Sequence, residues 1–150
     1  MAVGRDAGEE PNLRRLADDL GVADRVIWAG TRVEMPAVYS AMDIHLSTSQ
    51  YSEGTPNVVG EAMACGVPCV ATDIGDCAII VAGTGTIVPP RDPEGVAAAV
   101  DALLLEYALE RTARSRACRA RVVAEFEVDA VAARFGDAWR RIARGEPACA

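Results

Sequence analysis

Short apolar runs alternate with stretches of helical periodicity along most of this chain, and glycine or proline stands at nearly every change of period. Met1 to Val3 reads as the tail of a buried strand running into Gly4, with a polar loop over Arg5 to Glu10 behind it. From Pro11 to Leu20 the residues Leu13, Leu16, Ala17 and Leu20 recur at helical spacing, and Gly21 stops the helix. Arg25 to Trp28 is predicted as a strand ending at Gly30, Met35 to Ala41 as a short helix and Ile44 to Leu46 as a strand. A helix from Pro56, a strand Cys69 to Ala71, a short helix near Cys77 to Val81 and a strand Thr86 to Val88 complete the alternation. Strands and helices taking turns on short connections predict a parallel α/β fold. From Pro93 onward the pattern is helical: Pro93 to Leu105, Leu109 to Phe126, and Val128 to Ala143 with Phe135, Trp139 and Ile142 as a packing stripe, whose alternative partner is a further domain. With no repeat and no flexible linker, residues 1–144 are expected to form one domain, and 145–150 a frayed tail.

The stretch Glu53-Gly-Thr-Pro-Asn-Val-Val-Gly-Glu61 and its continuation to Pro68 organise the rest. Gly54 loosens the backbone, Thr55 suits an N-cap, and Pro56 suits the first helical position, where a missing N–H costs nothing. Gly66 is the expected left-handed stop. The apolar face is Val58, Val59, Ala62 and Met63, while Asn57, Gly60, Glu61 and Ala64 share the other side. Glu53 and Glu61 can therefore border one crevice beside helical N–H donors, a setting for an anion flanked by hydroxyls, such as a sugar nucleotide.

Composition narrows the function classes. The chain has 150 residues, enough for a sizeable core. A net charge of −7 argues against a nucleic-acid partner, so any diphosphate would need locally placed donors. No apolar run approaches the ~20 residues of a membrane span, and the acidic N-terminus has no signal-peptide pattern, which makes the expected location cytoplasmic. The five cysteines lack a C-x-x-C pair and have one histidine for company, so neither zinc nor a disulfide framework is expected. His45, inside a strand, reads as a packed, hydrogen-bonded side chain. The run Arg111, Arg114, Arg116, Arg119 and Arg121 reads as a solvated helix face, with contact to acidic lipid as the alternative.

The two glutamates in the form Glu-Gly-x-Pro-Asn-x-x-x-Glu-Ala-Met-Ala-Cys-Gly-x-Pro resemble the donor-site signature of family 4 retaining glycosyltransferases. Ordered blocks extend the resemblance over roughly residues 1 to 135: Val3-Gly4, Asp24 to Gly30, Met42-Asp43-Ile44, Ala71 to Asp76, Gly85 to Pro90 and Asp92-Pro93. It implies a Rossmann-like parallel sheet of about five strands, helices on both faces, and C-terminal helices. This would be the donor half of a two-domain GT-B architecture, whose acceptor-binding domain is absent from this chain. It also implies that the family's first βα unit is missing. In the order 3-2-1-4-5-6 that unit's strand is central, so its loss would leave two half-sheets.

By the same resemblance Glu61 would accept hydrogen bonds from ribose hydroxyls and Glu53 would sit by the donor sugar and the bond being broken. Backbone groups of Gly54, Thr55, Pro56, Asn57 and Val58 would meet sugar and phosphate. Thr31 and Arg32 would hold the nucleobase edge, and Ser49 would line the crevice. Many family members have an aromatic and a glycine where Thr55 and Pro56 stand. No D-x-D occurs, so no metal and no cofactor is expected, and helix dipole and arginines would meet the phosphate charge. The implied reaction moves a hexose from a UDP- or GDP-sugar to a glycan or lipid-linked acceptor, placing the enzyme in the cytoplasm or at the inner face of the membrane. The other class is a non-catalytic nucleotide-sugar-binding subunit that needs a partner chain. A sugar-nucleotide epimerase of the same architecture is more distant.

Overall fold

The structure, a computed structural model, describes residues 1–4, 8–51 and 54–147, without the side chains of Tyr107 and Ala108. It divides into two compact units, Met1–Val38 and Tyr39–Ala150.

In the first unit, strand β1 (Ala2–Val3) pairs in parallel with β2 (Trp28–Gly30). Helix α1 (Glu10–Asp19) and a 3-10 turn over Ala23–Arg25 connect them. That turn replaces the first residues of the strand expected at Arg25, and extended backbone begins only at Val26. Of the apolar face predicted for α1, only Ala17 is buried, and Leu16 is 52% exposed. A two-stranded sheet is too narrow to cover a helix face of that width. Arg14 instead places its guanidinium 4.9 Å from the ring centre of Trp28.

The second unit holds the core. The last two residues of helix α2 (Met35–Ser40) belong to it and contribute the buried ring of Tyr39. Strands β3 (His45–Ser47), β4 (Cys69–Thr72) and β5 (Thr86–Val88) form a parallel sheet in that order, His45 opposite Cys69 and Val70 opposite Thr86. The five strands thus lie in two parallel sheets, of two and three strands, the division expected where the central strand of the order is missing. In each sheet the ladder runs along one edge of the outer strands: Ala2 and Val3 pair with Trp28 and Gly30, and His45 to Ser47 with Cys69 to Ala71, while β4 uses both edges. Central strand β4 is buried along its whole length, as a continuous apolar run in a parallel sheet requires.

Helix α3 (Asn57–Ala64) links β3 to β4, and α4 (Cys77–Val81) links β4 to β5. Val59, Ala62 and Met63 of α3 are fully buried, whereas Val58, assigned to the same face from sequence, is 45% exposed. Beyond β5, Asp92 caps helix α5 (Pro93–Phe126) by accepting from the Gly95 amide at 2.8 Å. The helix is interrupted once by non-helical backbone at Glu110, close to the division predicted between two helices. Ala99 and Leu103 of α5 pack on Val70 and Val88. Helix α6 (Val128–Ala143) follows, with Phe135, Trp139 and Ile142 left exposed, Trp139 at 67%, instead of forming a packed stripe. The tail is tied down at its start, where Gly145 and Glu146 donate to the carbonyls of Ile142 and Arg141.

The arginine run on α5 is not a plain solvated face. Arg119 donates to the carbonyl of Ala64 at 2.6 Å, and Arg121 to those of Ile79 at 2.7 Å and Ile80 at 3.4 Å. These carbonyls end α3 and α4, where intrahelical donors run out and negative dipole charge gathers. Arg114 bonds Glu106 and the Thr84 carbonyl. The run therefore caps two helices and draws them onto α5.

Candidate functional site

The C-terminal ends of β3, β4 and β5 deliver three loops to one edge of the second unit, the edge from which α3 departs. Ligands of open parallel sheets sit at such an edge. Thr72, the last residue of β4, is buried, and its hydroxyl donates to the Ser49 carbonyl at 2.6 Å. It thereby holds the loop after β3 against the strand ends. Arg91, in left-handed backbone after β5, reaches Gln50 of the same loop at 3.3 Å. The Asp76 amide donates to the Gly54 carbonyl at 2.9 Å, and the Thr55 hydroxyl donates to Asp76 Oδ2 at 2.6 Å.

That last bond corrects the expected cap. Thr55 does not cap α3, because its hydroxyl is committed to Asp76. Pro56 takes the cap position in extended backbone, without a side-chain acceptor. Among the described residues no side chain caps α3, which leaves its first N–H groups, including those of Asn57 and Val58, at the positive end of the helix dipole. The two exposed side chains Asn57 and Val58 flank the same end.

Glu61 lies one turn further along, exposed, with its carboxylate oriented from below. The hydroxyl of Tyr39, whose ring is only 2% exposed, donates to Glu61 Oε2 at 2.9 Å. Burial, and secondarily this bond and the carboxylate's charge, push the phenol well above its usual range, so it remains a donor at any physiological pH. His45 stacks edge-on against Tyr39, with ring centres 5.7 Å apart. Its Nε2 is buried without a hydrogen-bond partner, contrary to the expected hydrogen-bonded histidine, since its ring packs on an aromatic edge and not on a polar group. Burial lowers its pKa, and the charge of Glu61 pulls weakly the other way. Neither Tyr39 nor Thr72 stood out from sequence. The one signal for Tyr39 was an aromatic in a short helix that ends before the strand carrying His45.

Of the other residues singled out, Ser49, Gly54, Thr55, Pro56, Asn57, Val58 and Glu61 fall at this edge in the second unit. Thr31 and Arg32 follow β2 in the first unit, both exposed. Glu53 lies outside the described residues. Among the described residues, no three His, Cys, Asp or Glu side chains converge as a metal site would require, and no helix is long and apolar enough to cross a membrane.

The family model described as glycosyl transferases group 1 matches residues 1–106. The chain belongs to that family. A D-inositol 3-phosphate glycosyltransferase of Mycobacteroides abscessus is 41% identical over 113 residues, which are 70% of this chain and 25% of that protein. The lipopolysaccharide core biosynthesis mannosyltransferase LpsB of Rhizobium meliloti is 33% identical over 107 residues, 69% of this chain and 30% of that one. Among solved structures, sucrose-phosphate synthase from Thermosynechococcus elongatus superposes with a TM-score of 0.79 at 32% identity, over 96% of this chain and 38% of that one. HepE of Anabaena, solved in complex with UDP, superposes with a TM-score of 0.82 at 24% identity, over 92% and 39% of the two chains. The chain thus spans about a quarter of the length of the D-inositol 3-phosphate glycosyltransferase it matches. Its parallel α/β fold is that of GT-B glycosyltransferases.

Proposed function

We propose that this chain is the donor-binding part of a family 4 retaining glycosyltransferase. It would hold a UDP- or GDP-hexose for transfer to a glycan or lipid-linked acceptor. The observation that carries this reading is the Tyr39–Glu61 pair beside an uncapped helix start. A carboxylate with one oxygen held by a buried phenol keeps its other oxygen directed outward, as an acceptor for a ribose diol. The amides opening α3 lie one turn away, placed for phosphate or sugar oxygens. Thr31 and Arg32 at the end of β2 are the contacts we assign to the base, Ser49 lines the crevice, and Glu53 acts at the donor sugar, where positive charge develops in the transition state. Phosphate charge is met by helix dipole and arginine, with no metal in the assignment. Family membership and the share of the relatives covered favour an enzyme over a purely binding subunit, but a part of one. Transfer is assigned to the whole protein, and residues 1–150 alone are expected to transfer no sugar.

The test is calorimetric titration of UDP and GDP into the chain and into Glu61→Ala. Loss of the diol acceptor should weaken the binding nucleotide by about 1.5–3 kcal/mol, the scale of a hydrogen bond to a charged group. Glu53→Gln should leave diphosphate affinity nearly intact. Equal affinity in wild type and Glu61→Ala, or no nucleotide binding at all, overturns the assignment.

A further inference from the structure

A second concavity, of about 330 Å³, opens at the opposite end of α3 from the site just described. That volume is at the small end of the range for small-molecule sites. At 1.5 Å per residue the eight residues of α3 separate the two ends by about 12 Å. One wall is the second half of α5, where Arg111 and Ser115, and Thr112 and Arg116, form two i,i+4 rows. The facing wall includes Gly66, after α3, and Ser40, at the end of α2. Gly66 is in left-handed backbone, and a Cβ there would lie 2.2 Å from Ser115 Oγ, so glycine is what lets the two walls approach.

In a chain of net charge −7, this lining contains, among the described residues, two arginines and no aspartate or glutamate. Among the described residues, the guanidinium of Arg116 has no ion-pair or hydrogen-bond partner, and neither do the hydroxyls of Ser40, Thr112 and Ser115. Arg111 meets Asp43 at 3.5 Å in an exposed pair, of the kind that water and salt weaken. The simpler account is that these arginines offset the end of α3. That end carries only about half a negative charge, and Arg119 already occupies the Ala64 carbonyl. Among the described residues, Arg116 thus remains a cation of the lining that neither a carboxylate nor the helix end engages.

We infer that this pocket binds a phosphate monoester. Guanidinium forks match phosphate oxygens in paired hydrogen bonds, and three uncommitted hydroxyls complete a set for a dianion with three acceptor oxygens. The inference is independent of the donor-site reading. The phosphate could belong to a soluble metabolite or to a lipid headgroup, and the experiment has an arm for each.

In the first arm, inorganic phosphate and glycerol 3-phosphate are titrated into residues 1–150 by calorimetry. In the second, the chain is sedimented with phosphatidylcholine vesicles containing phosphatidic acid. Arg116→Glu, at an exposed position, should weaken binding by at least about tenfold in the arm that binds, and Ser115→Ala severalfold, with circular dichroism unchanged. Excess UDP, which would fill the donor site, should leave phosphate binding as it is. Absence of binding in both arms overturns the proposal. So does binding that survives both pocket substitutions, or that UDP displaces.

Discussion

Tyr39→Phe removes one oxygen from the floor of the donor site and nothing else. The ring stays buried and its edge contact with His45 is kept. What is lost is the 2.9 Å bond to Glu61 Oε2. A hydrogen bond to a charged group contributes about 1.5–3 kcal/mol when its partner is left stranded. Glu61 is exposed, so water replaces the phenol and the cost falls to about 1 kcal/mol. For a chain of this size that is a drop in Tm of about 2–4 °C. The bond also orients the carboxylate, so nucleotide affinity should fall as well, by about 0.5–1 kcal/mol from the freed rotamers. A double-mutant cycle with Glu61→Ala isolates the pair, with an expected coupling of about 0.5–1.5 kcal/mol in thermal unfolding. If the double variant equals the sum of the singles in stability, the two groups do not act as a unit and Tyr39 does not position Glu61.

His45 gives a prediction in pH. Its folded pKa is depressed, so below the unfolded value of about 6.5 the unfolded chain takes a proton that the folded chain refuses. This histidine's contribution is therefore fully present above that pH and is lost as pH falls toward the folded pKa. Between pH 7.5 and 5, wild-type Tm should fall more steeply than that of His45→Phe, and parallel curves would refute the burial argument. Gly85→Ala tests the packing of β5 on β4: a Cβ there would lie 2.1 Å from the Cys69 carbonyl oxygen. Backbone cannot move aside as a side-chain end can, so a loss of about 2–3 kcal/mol is expected in denaturant unfolding, and a neutral result would mean that the strands are spaced differently.

The signature stretch shows how far local chemistry reaches. Helix α3, its stop at Gly66, the buried set Val59, Ala62 and Met63, and the outward Glu61 all follow from period and turn residues, which act over a few positions of chain. The strand β5 and the helices α4 and α6 were legible for the same reason. Pairings between residues far apart in sequence were not. Thr55 is as good an N-cap as any until folding brings Asp76 to its hydroxyl, 21 residues on. Tyr39 meets Glu61 across 22 residues, and Arg119 and Arg121 read as solvated charge until α5 lies across the ends of α3 and α4. The division into two sheets was anticipated from the strand order, but the register within each ladder, His45 opposite Cys69 and Val70 opposite Thr86, is a property of the assembled backbone and not of the alternation of strands and helices along the chain.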